Sequence, residues 1–518
     1  MITPTEDEFE EVAPDPSAMI ESMRAYGYTL STAIADLIDN SIAAQAKKIW
    51  IRMEWSGPDS WISIGDDGTG MDEESLRSAM RLGTQSPLIE RKEDDLGRFG
   101  LGLKTASLSQ CRRLTVRSVT DGSEVNTRRW DLDYLARPET KGWHLLTAPA
   151  EGSEERLEFR SEKSGTVVLW EQLDRLVPET GGEDYHAIEQ NWNKLTRGLE
   201  EHLALVFHRF LESPRGQGKL QIELNGVDIE PWNPFRADLP ATEKVGQENK
   251  YFETISSAPV SFEGYVLPHK DRLGSEEHGK LSGPKGWNAQ QGFYLYRNRR
   301  LIVFGSWLGL GGQRGWTQEE HYKLARIKLD IPNSMDHLWH LDVKKSSASP
   351  PPQMKGWLQG LAQNVRKRAR ETFAHRAKHG PQGASRREIT RPWKSTTRAG
   401  GRTYRIDRKH EFIQAVKKNI DRSARDELEA ALRILEETVP VEQIWLDKAE
   451  NPEDFNQPFS GTSSRELQKL IQSCYAAIRR NRGCSHDEIL SLLRSHQEWS
   501  SEEAFAIISA LPKETGNG

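Results

Sequence analysis

Cysteine is nearly missing from this chain. Cys111, Cys474 and Cys484 are the only three in 518 residues, an odd number without paired metal-ligand spacing. A disulfide framework is therefore not expected, and a reducing compartment is. His486 follows Cys484 by two residues, but two candidate ligands do not make a zinc site. Long apolar runs are also missing: no stretch of 18 apolar residues occurs, and the acidic start at residues 1–8 has no apolar segment. Neither a membrane span nor a secretory leader is expected, which points to the cytoplasm. There is no strong charge of one sign either, since 77 acidic against 71 basic side chains leave a net −6. That balance singles out no polyanionic or membrane partner for the whole chain. Internal repeats and long low-complexity segments are absent as well. What remains is a chain with 36% hydrophobic residues, long enough for two to four folded units with at least one sizeable core.

Three stretches within residues 33–107 carry the chemistry. In the first, residues 17–46 read as helical, with Ile34, Leu37, Ile38 and Ile42 forming a buried face, so that Asp36 and Asn40 share the opposite one. A carboxylate and a carboxamide four apart can divide the work of hydrolysis, one polarising water and the other holding magnesium. The bland alternative is an ordinary exposed helix face. Two short strands follow, at residues 48–53 and 61–64, joined by the turn-rich residues 56–60. The second runs into Asp66-Asp67-Gly68-Thr69-Gly70-Met71, the second stretch. An ionised Asp66 is purely an acceptor, suited to an exocyclic amine such as that of adenine, and the glycines let backbone approach a ligand. A glycine-rich turn closing a strand is the plain alternative. After a short helix at residues 73–81 comes a polar segment without periodicity, residues 82–96, a candidate mobile lid. The third stretch is Gly97-Arg98-Phe99-Gly100-Leu101-Gly102-Leu103-Lys104-Thr105. Backbone N–H groups there, leading into a helix, can cradle phosphates, and Lys104 adds a point charge. Its spacing matches neither the Walker nor the usual dinucleotide pattern, and it can equally be a packing turn.

In this order the three stretches resemble the GHKL ATPases, the family of gyrase B, MutL, the large heat-shock chaperones, histidine kinases and the MORC proteins. Residues 97–104 look most like the MORC and MutL branch. The resemblance implies an α+β fold: a Bergerat-type ATP-binding α/β sandwich, a βαβ transducer domain and a helical C-terminal region. By position it makes Asp36 the general base, Asn40 the magnesium ligand and Asp66 the adenine contact. Gly68, Gly70 and Met71 would line the base pocket, while Gly97, Arg98, Phe99, Gly100, Leu101, Gly102, Leu103 and Lys104 would hold phosphates. Thr166 looks like the family threonine that supports the adenine-binding aspartate. One departure stands out. The base is usually glutamate, and Asp36 is one methylene shorter, which suggests slow turnover and a role as a nucleotide-gated switch.

The expected divisions are an ATP-binding domain at 1–175, a transducer-like domain at 185–350, a basic linker at 351–408 and a helical region at 409–518. In the second, residues 219–224, 292–297 and 325–330 read as strands, and Asn298-Arg299-Arg300 as a tight turn before another. Lys344 or Lys345, just before Pro350-Pro351-Pro352, stands where the family's γ-phosphate lysine would be. Residues 366–408 hold 14 Lys or Arg against Glu371, Glu388 and Asp407, with Trp393 and Tyr404 interleaved. Such a tract can neutralise DNA phosphates, or be a solvated linker. The expectation is thus an ATP- and Mg2+-dependent homodimeric clamp, acting on DNA in bacterial defence, restriction or repair, with operon-encoded protein partners and no membrane. A chaperone-like ATPase acting on protein clients is the rival.

Overall fold

The computed structural model describes residues 14–25, 27–82, 102–161, 163–177, 185–212, 219–252, 255, 258–312, 315–339, 348–374, 393–398, 401–441, 464–482, 484–495 and 502–512. The chain divides into two compact units, Met1–His375 and Arg376–Gly518.

The first unit begins with helices α1 (Pro16–Arg24) and α2 (Leu30–Ala43), then strands β1 (Lys48–Glu54) and β2 (Trp61–Asp66) and helices α3 (Glu73–Met80) and α4 (Gly102–Leu108). Strands β3 (Arg113–Val119) and β4 (Asn126–Asp131), helix α5 (Leu132–Leu135), strand β5 (Gly165–Glu171) and helices α6 (Tyr185–Val206) and α7 (His208–Leu211) follow. With β6 (Gln221–Leu224) and β7 (Val227–Asp228) they make a seven-stranded sheet of order β4-β3-β5-β2-β1-β6-β7. All its pairings are antiparallel except β1 with β6, which is parallel.

Strand β5 is buried at every residue because both sheet faces are covered. Val168 and Trp170 enter the core under α1, α2, α4 and α6, while Val167 and Leu169 join Trp61 and Leu157 on the other side. β6 stands in the second domain of the expected division. It pairs instead with β1 of the first sheet, and α6 packs Trp192, Leu199 and Leu203 into the same core.

The second sheet, order β11-β10-β12-β9-β8, is built from β8 (Glu243–Lys250), β9 (Val260–Val266), β10 (Gly292–Arg297), β11 (Arg300–Ser306) and β12 (Ala325–Ile331). Asn298 and Arg299, at φ 46° and 69°, make the two-residue turn between β10 and β11. The parallel pair β10 and β12 is connected through β11, a strand, where a βαβ unit would place a helix. Leu205 of α6 and Phe235 form a further cluster with Tyr265, Tyr294, Tyr296 and Leu301 of the second sheet.

The expected basic linker at 351–408 contains ordered structure. Pro352–Ala374 is a 23-residue helix whose Met354, Leu358, Ala362, Val365 and Ala369 pack on the second sheet. That stripe stands at helical spacing, and all of it but Ala369 lies ahead of the basic tract that begins at Arg366. In the second unit, β13 (Trp393–Arg398) and β14 (Gly401–Ile406) form a hairpin, followed by helices Glu411–Asn419, Arg422–Glu437, Ser464–Arg482, His486–Ser495 and Glu502–Ser509. Among the described residues no helix is long and apolar enough to cross a membrane.

Candidate nucleotide site

Helix α2 begins with a reciprocal cap, in which Thr29 and Thr32 each bond the other's backbone N–H. From there Leu30, Ala33, Ile34, Leu37 and Ile38 turn into the core, which leaves Asp36 half-buried and Asn40 exposed. The Tyr28 hydroxyl donates to Asp36 Oδ2 at 3.0 Å. The first residue of α4, Gly102, stands beside that oxygen: a Cβ built on it would lie 3.6 Å away. Helix α2 thus brings the proposed base against the start of the helix that follows the glycine loop.

Asp66, at the end of β2, is buried. Its Oδ2 accepts from Ser41 Oγ at 2.8 Å and its Oδ1 from the Gly68 N–H at 2.9 Å. Ser41 belongs to α2, so one helix carries Asp36 and Asn40 and also anchors Asp66. Burial pushes the Asp66 carboxyl above its ordinary range, and the bonds from Gly68, Ser41 and the Thr166 backbone pull it back. Asp67 faces elsewhere, accepting from the Lys47 and Lys48 N–H groups at 2.7 and 2.8 Å.

The glycines after Asp66 are where backbone crowds. A Cβ on Gly68 would come within 2.9 Å of Ala44, and Gly70, at φ +69°, has the Val119 carbonyl where its Cβ would go. Met71 is held by its N–H, which donates to Ser118 Oγ at 2.8 Å. Thr166 sits opposite Asp66 in the β2–β5 register, with its hydroxyl 2.8 Å from the same Ser118 oxygen. Asp66, Met71 and Thr166 are therefore parts of one hydrogen-bonded group.

Lys104 has a different placement from the one expected. Its Nζ donates to the Ala79 and Arg81 carbonyls, both at 2.9 Å, closing the C-terminal end of α3. Burial pushes this ammonium from 10.5 down to about 8. Below about pH 8 the buried charge is fully present in the fold. Between there and 10.5 the unfolded chain holds more protons, so stability rises with pH. Relative to Lys104→Met, the unfolding free energy of the wild type should climb across pH 8–10.5 in urea titrations; equal slopes in the two proteins would contradict the depressed value.

Leu103 is half-buried against the first core. Gly97, Arg98, Phe99, Gly100 and Leu101, most of the 82–96 lid, and Lys344 and Lys345 lie outside the described residues. Among the described residues no three His, Cys, Asp or Glu side chains gather as a metal cluster. A magnesium site would draw on Asn40 and the ligand's own oxygens.

Tyr28, Ser41 and Ser118 bond to candidate site residues, and the motifs did not reveal them. Ser41 is the one with a signal in the sequence, following Asn40 directly on the same helix. Within the basic tract, several cations already have partners. The Arg366 guanidinium lies 3.7 Å from the Tyr322 ring centroid and 4.5 Å from those of Trp307 and Trp316. Arg368 pairs with Glu243, Lys394 with Asp407, and Arg405 and Arg408 with Glu436. Trp393 and Tyr404 are exposed.

Residues 28–166 match the family described as histidine kinase-, DNA gyrase B- and HSP90-like ATPase. Those bounds run from the tyrosine on Asp36 to the threonine beside Asp66, so the chain carries a GHKL ATPase domain. It is similar to the DNA mismatch repair protein MutL of Buchnera aphidicola subsp. Schizaphis graminum (strain Sg), 34% identical over 97 residues. That match covers 18% of this chain and 16% of the relative's length.

Proposed function

We propose that this chain binds ATP with magnesium and hydrolyses it slowly, using the cycle to open and close a homodimeric clamp. The observation that carries this reading is the bond from Ser41 to Asp66, which ties the adenine-type aspartate to the helix bearing Asp36 and Asn40. In this reading the Asp66 carboxylate accepts from the adenine amine, and Gly68 and Gly70 admit the base by lacking side chains. Asp36, held by Tyr28, takes a proton from the attacking water. The residues present suit a hard cation: Asn40, a carboxamide, is exposed one helical turn from the half-buried carboxylate of Asp36. Magnesium would supply charge neutralisation at the phosphates. Gly97, Gly100 and Gly102 with their neighbours are assigned to the phosphates, and Lys344 or Lys345 to the γ-phosphate on closure.

Likeness to a mismatch repair protein and the basic tract favour DNA as the object of the clamp, in a bacterial defence, restriction or repair setting. The pairing of Arg366, Arg368, Lys394, Arg405 and Arg408 within the protein favours the second reading, a protein client. Binding of a fluorescent ATP analogue should require magnesium in the wild type and be lost in Asn40→Ala; equal affinity in that variant would sink the site. Light scattering should give a dimer only with a non-hydrolysable analogue, and a monomer in every condition would defeat the clamp. A salt-dependent DNA shift that disappears when Arg386, Arg387 and Arg391 are replaced decides for DNA. Its absence decides for a client.

A further inference from the structure

Helix α2 has a second charged residue, Asp39, which is buried where the adjacent Asn40 is exposed. Asp39 is 2% exposed, and its Oδ1 lies 2.7 Å from Nε of Arg300, itself 4% exposed. Arg300 is the first residue of β11, so a buried ion pair joins the nucleotide helix to the second sheet. The guanidinium also donates to the Leu301 carbonyl and lies 4.6 Å from the Phe207 ring centroid. Nearby His202 is pushed down to about 3, first by burial and then by the Arg300 charge, so it is neutral at physiological pH and leaves the pair's charges balanced.

The turn that delivers Arg300 is itself anchored. Arg299 lies 4.7 Å from the Phe210 ring centroid and donates to the Arg209 carbonyl at 2.5 Å. Arg209 in turn holds Asp330 of β12 with two bonds, at 2.5 and 2.9 Å, and stacks 3.6 Å from the Tyr296 centroid. The second sheet is thus held at three points against helices of the first: at Arg300, at the turn residue Arg299, and at Asp330 of β12.

We propose that Arg300 is a positioning residue: through Asp39 it sets where α2 holds Asn40 and Asp36, and it passes nucleotide-driven movement of α2 to β11. The proposal rests on the nucleotide reading above. A buried ion pair is costly to break from one side, because the abandoned charge has no water to solvate it. Movement of α2 toward a ligand must therefore carry Arg300 with it or strain the pair. Coupling of this kind is reciprocal, so whatever displaces β11 also changes nucleotide affinity.

The test is hydrogen exchange on the full chain, with and without a magnesium-bound non-hydrolysable ATP analogue, in the wild type, Asp39→Asn and Arg300→Lys. Asp39→Asn keeps the shape of its side chain, and Arg300→Lys keeps the charge while removing the planar fork that reaches both Asp39 and the Leu301 carbonyl. Wild-type protein should gain protection in α2 and in residues 300–306. The variants should keep the α2 gain but lose at least two thirds of that in 300–306. Their kcat per folded molecule should fall about tenfold with KM changed less than threefold, and the double variant should be no slower than the worse single. Wild-type protection in both segments that persists in both variants, or an unchanged kcat, overturns the coupling alone. No protection of α2 in the wild type overturns the nucleotide site and the proposal together.

Discussion

Replacing Asp36 by asparagine should leave nucleotide binding intact while lowering turnover by about 10²- to 10⁴-fold, the usual contribution of a placed general base. Asparagine has nearly the same shape and keeps an oxygen to accept the Tyr28 hydroxyl, so the helix and its neighbours need not rearrange. What it removes is the ability to take a proton. Pre-steady-state binding and steady-state phosphate release, measured on the same preparation, separate the two effects. Loss of binding would instead make Asp36 a ligand-positioning group, and undiminished turnover would move the base to another residue. Asp36→Glu adds the methylene by which Asp36 falls short of the glutamate that the family resemblance leads one to expect there. The Gly102 backbone close to Asp36 limits how far the longer side chain can extend, which makes its rate a direct measure of the space at the reacting end.

Gly70→Ala should cost on the order of 4 kcal/mol or more, enough to abolish the site. Its Cβ would be 1.8 Å from the Val119 carbonyl oxygen, an overlap with backbone that no rotamer change relieves. The positive φ adds about 1–2 kcal/mol for an L side chain. Gly122 is the internal control, also at positive φ (+78°) but with nothing within 4 Å of a built Cβ, so Gly122→Ala carries the conformational cost alone. Urea midpoints of the two variants should differ accordingly. Near-equal midpoints would mean that the strand end at Val119 yields easily, and that the glycine-rich turn is not a rigid wall of the pocket.

The local elements were legible because they repeat at short range. Four apolar residues at helical spacing located the buried face of α2 and so put Asp36 and Asn40 on the other side. The strand ending at Asp66 and the turn at Asn298 and Arg299 follow from alternation and turn chemistry in the same way. Pairing was less accessible. Gln221–Leu224 reads as a strand from its own pattern, but period-two alternation does not say which sheet it joins, and its partner β1 lies about 170 residues earlier. The Pro352–Ala374 helix has its apolar stripe in the chain, but the proline run at its start and the basic residues from Arg366 onward point to a linker.

By itself the sequence determined which residue types stand at which spacing: an acid and an amide on one helix face, an aspartate before two glycines, a glycine-rich loop before a helix. These properties depend only on neighbours within a few positions. Tertiary structure alone decided where the long side chains end. It turned Lys104 onto the end of α3, buried Arg366 among three aromatic rings, and brought Arg300 to Asp39 across 261 positions. The physical reason is that a buried charge must find a compensating partner, and only the packing of distant elements determines which one is within reach.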